Sequence, residues 1–252
     1  MDGLISLKNK LKNGDKIYGS TLLQIGFSGL PAVYKRNGTD FLIIDMEHGT
    51  FFPENVGELC YAARKEKLPM IARVQDCEYH CISKCIDMGC DGVLIPRTET
   101  MEQVETAIKS LRMPPIGKKG VGGRSLLYPG ETVEDFNNNR LLFIQIESVQ
   151  GVDLLDEMLT KYGDQIAGIL VGPTDFGVSM GIGFTMNEEM LGHIRRLIAI
   201  CKKHNKSCGI FMCTDEEIGN WYNEGMNLFW VSGELVMLEN EINRAGKFIA
   251  SL

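Results

Sequence analysis

The feature that most constrains the fold of this 252-residue chain is a series of eight short apolar runs separated by longer amphipathic stretches. Continuous apolar runs bounded by turn residues are typical of strands buried on both faces of a parallel sheet. The predicted strands are Ile17–Ile25, Phe41–Asp45, Met70–Val74, Gly92–Pro96, Leu142–Glu147, Gly168–Gly172, Gly209–Met212 and Leu228–Val231. The predicted helices include Pro53–Lys65, Glu78–Met88, Met101–Leu111, Val149–Tyr162, Asn187–His204, Asp215–Asn223 and Leu235–Ser251.

Eight strands alternating with helices fit either an open doubly wound sheet or a closed barrel. Eight is the number at which a parallel barrel closes around packed side chains. No glycine fingerprint of a dinucleotide-binding sheet follows the first strand. No low-complexity linker divides the chain, although the segment 114–140 is a long irregular connection. We therefore predict an α/β fold, a single (β/α)8 TIM barrel with a short N-terminal helix, as one domain over residues 1–252.

The composition excludes several classes of protein. A formal net charge of −7 with scattered Lys and Arg argues against a nucleic-acid partner. No apolar run approaches the roughly 18 residues of a membrane span, and the N-terminus lacks a secretory apolar stretch. The eight cysteines form no CxxC pair, so we expect reduced thiols in a cytoplasmic protein. The spacing of Cys77, Cys81 and Cys85 favours the buried face of a helix over a row of metal ligands.

Several predicted strands end in a polar or charged residue directly after an apolar run. The runs read IIDMEHG, IARVQ, VLIPR, FIQIES and ILVGPTD. An unpaired charge inside a strand is costly, whereas the carboxyl ends of barrel strands are where such enzymes carry their chemistry. These endings therefore predict a functional site at one end of the barrel.

Two acidic residues at these ends, Glu147 and Asp175, predict a metal site. Neighbouring strands lie about 4.8 Å apart, so both carboxylates can reach one point. Carboxylates with water in the remaining positions suit Mg²⁺ or Mn²⁺, and Co²⁺ is an alternative. The alternative without a metal is that one acid caps a helix and the other forms a surface ion pair.

The neighbouring residues suggest how a substrate binds. The turn Gly172-Pro173-Thr174-Asp175 opens a helix, and its amides suit a substrate carboxylate, although a plain strand-to-helix turn fits as well. His48 lies three residues after Asp45, as expected for an oriented acid or base, or for a solvated loop histidine. Arg73 either pairs with Asp45 or Glu47 or binds an oxygen on which negative charge develops.

In these segments the sequence resembles the HpcH/HpaI aldolase family of metal-dependent class II pyruvate aldolases. The motifs that carry the resemblance are DMEHG at Asp45–Gly49, IARV at Ile71–Val74, MGCDGVLIPRTET at Met88–Thr100, GVGGRS at Gly120–Ser125, QIES at Gln145–Ser148 and VGPTDFGVSMG at Val171–Gly181. The resemblance runs over nearly the whole chain. The motifs are specific to the family when they occur together in this order and spacing, whereas one motif alone is not.

The resemblance implies a reaction and a set of roles. It implies reversible cleavage of a 4-hydroxy-2-oxo acid to pyruvate and an aldehyde, with the metal stabilising a pyruvate enolate. Glu147 and Asp175 resemble the metal ligands, and Gln145 resembles the polar residue beside them. Arg73 resembles the arginine that supports the enolate oxygen. His48, held by Asp45, resembles the acid/base, and the Thr174 and Asp175 amides resemble the grip on the pyruvyl carboxylate.

Two segments depart from the family pattern and bear on the aldehyde site. Lys118-Lys119-Gly120 stands where an arginine is common before the glycines, and Ser232-Gly233-Glu234 stands where a Gly-Ser-Asp or Gly-Ala-Asp turn is common. Lys118, Lys119 and Arg124 form either a solvated basic loop or a positive rim that steers acidic substrates.

The C-terminal helix and the exact activity leave alternatives open. Family members are typically hexameric, which implies a homo-oligomer in which Leu235–Ser251 packs across subunits; a helix covering its own barrel shows the same apolar spacing. Alternatives to the aldolase are a CoA-ester lyase of the malyl-CoA or citryl-CoA type and a barrel that binds a keto acid without turnover.

Overall fold

The strands form a closed, entirely parallel barrel in chain order, so the predicted fold class is confirmed. The computed structural model describes residues 1–122 and 127–252. The strands are β1 Ile17–Leu22, β2 Phe41–Asp45, β3 Met70–Arg73, β4 Gly92–Ile95, β5 Leu141–Ile146, β6 Gly168–Val171, β7 Ser207–Met212 and β8 Leu228–Gly233. The helices are α1 Asp2–Asn13, α2 Leu30–Arg36, α3 Pro53–Lys65, α4 Tyr79–Asp87, α5 Met101–Leu111, α6 Val133–Asn139, α7 Val149–Tyr162, α8 Pro173–Ser179, α9 Glu188–Lys203, α10 Asp215–Glu224 and α11 Glu234–Ala250.

Alternate residues of the strands fill the interior of the barrel. The rings of Phe41 and Phe143 stack there with their centroids 5.8 Å apart. Gly19 makes room for them, because a Cβ at this position would lie 2.2 Å from the Phe41 ring. Leucines of α1 join the same buried cluster, so α1 closes the amino-terminal end of the barrel. The carboxyl-terminal end is left for polar side chains.

A second buried cluster lies between the barrel and its outer helices. It contains Cys77 and Cys85, and the partly buried Cys81 packs against it, so the three thiols belong to the core as predicted, although Cys77 precedes α4 and does not lie on it. Residues 1–122 and 127–252 contain no group of three or more His, Cys, Asp or Glu side chains that could by themselves hold a metal ion. None of the helices described is long and apolar enough to span a membrane.

The first strand is shorter than predicted. It ends at Leu22 rather than at Ile25. The amides of Leu23, Gln24 and Ile25 instead donate to the buried carboxylate of Glu234, at donor–acceptor distances of 2.6 to 3.0 Å. A side chain from the other end of the sequence thereby replaces the backbone partners of the strand. The apolar pattern of residues 17–25 does not indicate this contact. Strand β2 has the predicted bounds, and the bounds of the other strands differ from the prediction by at most two residues.

The last part of the long connection before β5 is helical, which was not predicted. It contains helix α6, which begins with a capping box formed by Thr132 and Asp135. Lys119 belongs neither to a solvated basic loop nor to a steering rim. Its side chain is fully buried, and its Nζ donates to Asp87 Oδ1 at 2.7 Å. Arg124 lies outside the described residues.

Helix α11 does not cover its own barrel with an apolar face. Glu234 is its buried residue, whereas Leu238, Ile242 and Ile249 are 51%, 63% and 68% exposed. The first turn of α11 packs on the barrel through Met237, but the interpretation that the whole apolar face covers its own barrel is wrong. Its apolar face is available to another molecule.

Candidate functional site

The pleat of the strands points three of the predicted site residues into the carboxyl-terminal end of the barrel. Asp45 and Arg73 pair in register at the ends of β2 and β3. Gln145 lies opposite Leu170 on β5 and β6. Each follows interior apolar residues at a spacing of two, so the period of the strand places its polar group above the apolar layers.

Asp45 and Arg73 form a buried ion pair. Arg73 Nε donates to Asp45 Oδ1 at 3.0 Å, and Arg73 Nη2 donates to Asp45 Oδ2. The face of Trp230 lies 5.8 Å from the guanidinium carbon, a cation–π distance, and Trp230 Nε1 donates to Thr21 Oγ1 at 2.6 Å. Burial lowers the pKa of Arg73, but the hydrogen bond and charge of Asp45 outweigh burial and raise the pKa overall. Arg73 is thus a fixed, permanently charged donor.

The histidine of the DMEHG segment is not held as expected. Asp45 Oδ1 accepts hydrogen bonds from the backbone amides of Glu47 and His48, at 3.0 and 3.1 Å. The His48 ring is 59% exposed, and its Nε2 lies 3.9 Å from Glu47 Oε2. Asp45 therefore holds the backbone of this loop and does not hold the imidazole ring. Glu47 is the carboxylate that lies beside the ring.

Glu47 and Arg97 are two site residues that the sequence prediction missed. Glu47 Oε2 lies 3.6 Å from Arg73 Nη1, and Glu47 Oε1 lies 3.5 Å from Arg97 Nη2. Burial is the largest cause that raises the pKa of Glu47, and the charges of Arg73, His48 and Arg97 oppose it. Glu47 belongs to the DMEHG motif, and Arg97 is the last residue of the strand ending VLIPR. The sequence therefore contained a signal for each residue.

Glu147 lies next to these residues, just beyond the end of β5. Its Oε1 accepts from the backbone amide of Arg97 at 2.8 Å, and its Oε2 accepts from Gln145 Nε2 at 2.7 Å. Arg97 adopts a left-handed conformation, with φ of 46°, that delivers this amide. Both donors are neutral, and no arginine or lysine nitrogen lies within ion-pair distance of this carboxylate in the described part of the chain, although Arg73 is near enough for the two charges to interact.

Gly172 leaves the space that Glu147 occupies. A Cβ at this position would lie 2.1 Å from Glu147 Oε2 and 2.6 Å from Gln145 Nε2. Such distances are far inside van der Waals contact, and both neighbours are hydrogen-bonded in place. The glycine of the Gly172-Pro173-Thr174-Asp175 turn is therefore required by the position of the carboxylate on the neighbouring strand.

The electrostatics of Glu147 favour a cation. Burial raises the pKa of Glu147 to about 7, the donors Arg97 and Gln145 oppose the shift, and the negative charges of Asp175 and Glu47 add to it. A buried carboxylate with this pKa gains more from a nearby positive charge than an ordinary surface acid does.

Asp175 lies in the first turn of α8, at the exposed edge of the same site. The first intrahelical bond of α8 runs from Phe176 N to Gly172 O at 3.1 Å, so the amides of Thr174 and Asp175 precede it. Pro173 occupies the first helical position, where a missing N–H costs nothing. The Asp175 carboxylate accepts no hydrogen bond from residues 1–122 or 127–252.

The donor set at this point fits a divalent cation. Two carboxylates interact electrostatically there, and Gln145 Oε1 is a buried oxygen without a hydrogen-bond partner. Hard oxygen donors of this kind suit Mg²⁺ or Mn²⁺, which keep several waters and take only one or two carboxylates from a protein.

The chain has relatives among known protein families, sequences and structures. The profile of the HpcH/HpaI aldolase/citrate lyase family matches residues 31–233. A hydroxypyruvate/pyruvate aldolase of Roseobacter denitrificans is 28% identical over 98% of this chain and 96% of its own length. A 5-keto-4-deoxy-D-glucarate aldolase of Citrobacter koseri is 31% identical over 79% of this chain and 78% of its own length.

A solved structure has the same fold. The crystal structure of an HpcH/HpaI aldolase from Desulfitobacterium hafniense superposes with a TM-score of 0.90 at 22% identity, covering 98% of this chain and 97% of the other. The family predicted from the motifs is confirmed, and so, at the level of the family, is the prediction of an aldolase-type lyase. The chain belongs to the HpcH/HpaI aldolase/citrate lyase family.

Proposed function

We propose that this chain is a metal-dependent aldolase that reversibly cleaves a 4-hydroxy-2-oxo acid to pyruvate and an aldehyde. The observation that carries the proposal is the buried carboxylate of Glu147, which receives only neutral donors while a guanidinium, Arg73, lies in the same end of the barrel. One relative is named a hydroxypyruvate/pyruvate aldolase, which supports pyruvate as a product, and the other is also named an aldolase.

Glu147 and Asp175 would hold the divalent ion, Mg²⁺ or Mn²⁺, with Co²⁺ as an alternative, and Gln145 would keep Glu147 in place. Members of this family generally depend on a divalent metal. When bound, the ion supplies Lewis-acid polarisation of the 2-oxo group of the substrate. Because Gln145 and the Arg97 amide hold both oxygens of Glu147, the carboxylate needs little rearrangement to accept a cation.

Arg73 would stabilise the oxygen on which negative charge develops when the carbon–carbon bond breaks. Its guanidinium is fixed by Asp45 on one side and by the ring of Trp230 on another, so it does not reorganise during the reaction. The amides of Thr174 and Asp175 would bind the carboxylate of the 2-oxo acid, and Gly172 and Pro173 set the turn that presents them.

His48 would move the proton of the substrate's 4-hydroxyl group. Its ring is exposed at the rim, and its Nε2 lies 3.9 Å from Glu47 Oε2. Asp45 contributes through the backbone of this loop, because its carboxylate fixes the His48 amide and the Arg73 guanidinium together.

We also propose that the enzyme is a homo-oligomer in which α11 packs on a second copy of the chain. A helix with Leu238, Ile242, Phe248 and Ile249 all more than half exposed presents more apolar surface than a lone helix usually leaves in water. A hexamer is the assembly that the family resemblance implies.

The activity is tested by exchange of the methyl hydrogens of pyruvate with deuterium, followed by NMR. We expect exchange with added Mn²⁺ or Mg²⁺, none with excess EDTA, and recovery when the metal is restored. Decarboxylation of oxaloacetate should follow the same pattern, because it passes through the same enolate of pyruvate. Failure of both activities with every metal, together with indifference to EDTA, would rule out the aldolase.

A further inference from the structure

A cleft of about 920 Å³ opens at the amino-terminal end of the barrel, opposite the carboxyl-terminal end that carries Glu147. It lies between α1 and the segments that lead into β5, β6 and β7. Its lining includes Leu141, the first residue of β5, with Ile166 and Ala167 before β6 and Lys206 before β7. The cleft therefore belongs to a different part of the molecule from the proposed catalytic site.

The lining of this cleft is rich in cations, although the whole chain has a net charge of −7. Arg140 is one of them, and Glu131 balances it through hydrogen bonds at 2.8 and 2.9 Å. Two carboxylates also line the cleft, those of Asp135 and Asp164. The remaining cations of the lining are Lys8, Lys12, Arg112 and Lys206.

Arg112 is the central observation, because its side chain is buried without an acidic partner. The residue is 4% exposed. Its Nε donates to the side-chain oxygen of Gln165 at 3.1 Å and its Nη1 to the backbone carbonyl of Arg140 at 2.6 Å. No carboxylate lies within ion-pair distance of it in the described part of the chain. Burial, with a smaller effect from the charge of Arg140, lowers the pKa of Arg112 to about 10.

The lysines around Arg112 also bind neutral acceptors. Lys8 Nζ donates to the backbone carbonyl of Asn138, and Lys206 Nζ donates to that of Ile166 at 3.0 Å. Asp135 Oδ2 accepts from the amide and hydroxyl of Thr132 at 3.1 and 2.7 Å in the cap of α6. The charge of Asp164 acts on Lys206. The two carboxylates of the lining are still outnumbered by its five lysine and arginine side chains, so positive charge accumulates in a partly desolvated cleft.

A buried cation without a counter-ion is unfavourable, and an anion that enters the cleft removes that cost. We propose that this cleft is a second binding site, which takes a small multivalent oxyanion on Arg112, Lys8, Lys12 and Lys206. A phosphate group and a di- or tricarboxylate share the required chemistry, several oxygens that accept charge-assisted hydrogen bonds. Because the site lies at the far end of the barrel from Glu147, its ligand binds independently of substrate and metal.

Calorimetric titration of the EDTA-treated protein tests the site, with inorganic phosphate and tricarballylate as separate probes at constant ionic strength. Tricarballylate has no oxo or hydroxyl group, so it does not mimic a 2-oxo acid. We expect at least one probe to bind, and the one that binds more tightly identifies the source of the oxyanion. The affinity should be unchanged in Glu147→Ala, because that residue lies at the other end of the barrel.

Two variants that remove charge from the cleft should weaken binding. Arg112→Gln and the double variant Lys8→Gln/Lys206→Gln should each lower the affinity by at least about tenfold, the scale of one or two charge-assisted contacts. The matched control Lys161→Gln/Lys247→Gln removes two exposed lysines outside the cleft and should bind like the wild type. Circular dichroism shows whether each variant is folded. If Arg112→Gln does not fold, the double variant still tests the site.

The proposal is overturned if neither probe binds more strongly than chloride, or if the double variant and its control lose the same affinity. Loss of binding in Glu147→Ala would assign the anion to the catalytic end of the barrel and would also overturn it. None of these results bears on the exchange of pyruvate hydrogens, so this proposal and the proposed activity fail separately.

Discussion

Asp45 and Arg73 face each other in register on β2 and β3, and Arg73 donates to both carboxylate oxygens of Asp45. Neither residue is more than 9% exposed. The same carboxylate also accepts the amides of Glu47 and His48. One acidic side chain thus fixes both the guanidinium and the loop that carries the proposed acid/base.

Asp45→Asn should separate these roles, because an amide keeps the size of the side chain but loses its charge. The buried Arg73 is then left without its counter-ion, and we expect unfolding in urea to show a loss of about 3 kcal/mol. We expect kcat/KM to fall about 100-fold, because Arg73 is no longer held in place.

The control is Asp153→Asn, which breaks an exposed pair with Arg196. Exposed pairs contribute at most about 1 kcal/mol, so this variant should keep its stability and its activity. Equal effects of the two substitutions would contradict a special role for the buried pair.

Gly172→Ala should damage the metal site through a single methyl group. The added Cβ would lie 2.1 Å from Glu147 Oε2, so the carboxylate must move. We expect metal affinity to fall about 10- to 100-fold, as for the loss of residues that orient metal ligands. The measurement is calorimetric titration with Mn²⁺.

Gly192→Ala is the matched control, because its Cβ would meet nothing within 4 Å on α9. That variant should bind Mn²⁺ like the wild type and gain roughly 0.5–1 kcal/mol of stability from the loss of a helical glycine. Unchanged Mn²⁺ binding in Gly172→Ala would show that Glu147 lies elsewhere when the ion is bound.

The raised pKa of Glu147 predicts how the stability of the metal-free protein depends on pH. Burial raises this pKa from 4.5 to about 7 in the folded chain, so folding takes up a proton between these values. The contribution to the free energy of unfolding is therefore complete below the lower pKa and is lost as pH rises through the upper one. Its size is on the order of 3 kcal/mol.

Urea unfolding in EDTA at pH 5 and pH 8 measures this contribution. Glu147→Gln cannot ionise, so it should lose less stability than the wild type across this interval. Added Mn²⁺ at pH 8 should stabilise the wild type and leave the variant unchanged. Identical pH dependence in the two proteins would contradict the raised pKa.

The exposed face of α11 predicts dissociation of the oligomer when charge is introduced. Leu238 and Ile242 are 51% and 63% exposed in one chain, so Leu238→Glu/Ile242→Glu should leave the barrel folded and lower the molecular mass in sedimentation. Glu239→Gln/Glu241→Gln on the same helix is the control and should keep the assembly. A monomeric wild type would contradict this part of the account.

The sequence predicted the barrel and several of the polar residues that meet at its carboxyl-terminal end, because both follow from local periodicity. Asp45, Arg73 and Gln145 each continue the period-two pattern of an apolar strand, so their inward direction was readable. The contact of Asp45 with the His48 backbone could not be predicted. The sequence gives the order of the residues, but it does not show which group of a neighbouring residue faces the carboxylate.

What the sequence missed depends on contacts between distant segments. Lys119 reads as part of a basic loop, but it is buried because Asp87 on α4 pairs with it. The end of β1 depends on Glu234, more than two hundred residues away along the chain. The exposed apolar face of α11 has the same periodicity as a buried helix face. The two can be distinguished only from the packing of the helix in the folded chain.

The most direct test of the account is the stoichiometry and affinity of Mn²⁺ binding, measured by electron paramagnetic resonance on wild type, Glu147→Gln and Asp175→Asn. We predict one tightly bound ion per chain in the wild type, and a loss of at least about 100-fold in affinity in each variant. Asp153→Asn, which changes an exposed acid paired with Arg196, should bind like the wild type. Wild-type Mn²⁺ affinity in both site variants would contradict the claim that Glu147 and Asp175 share one cation.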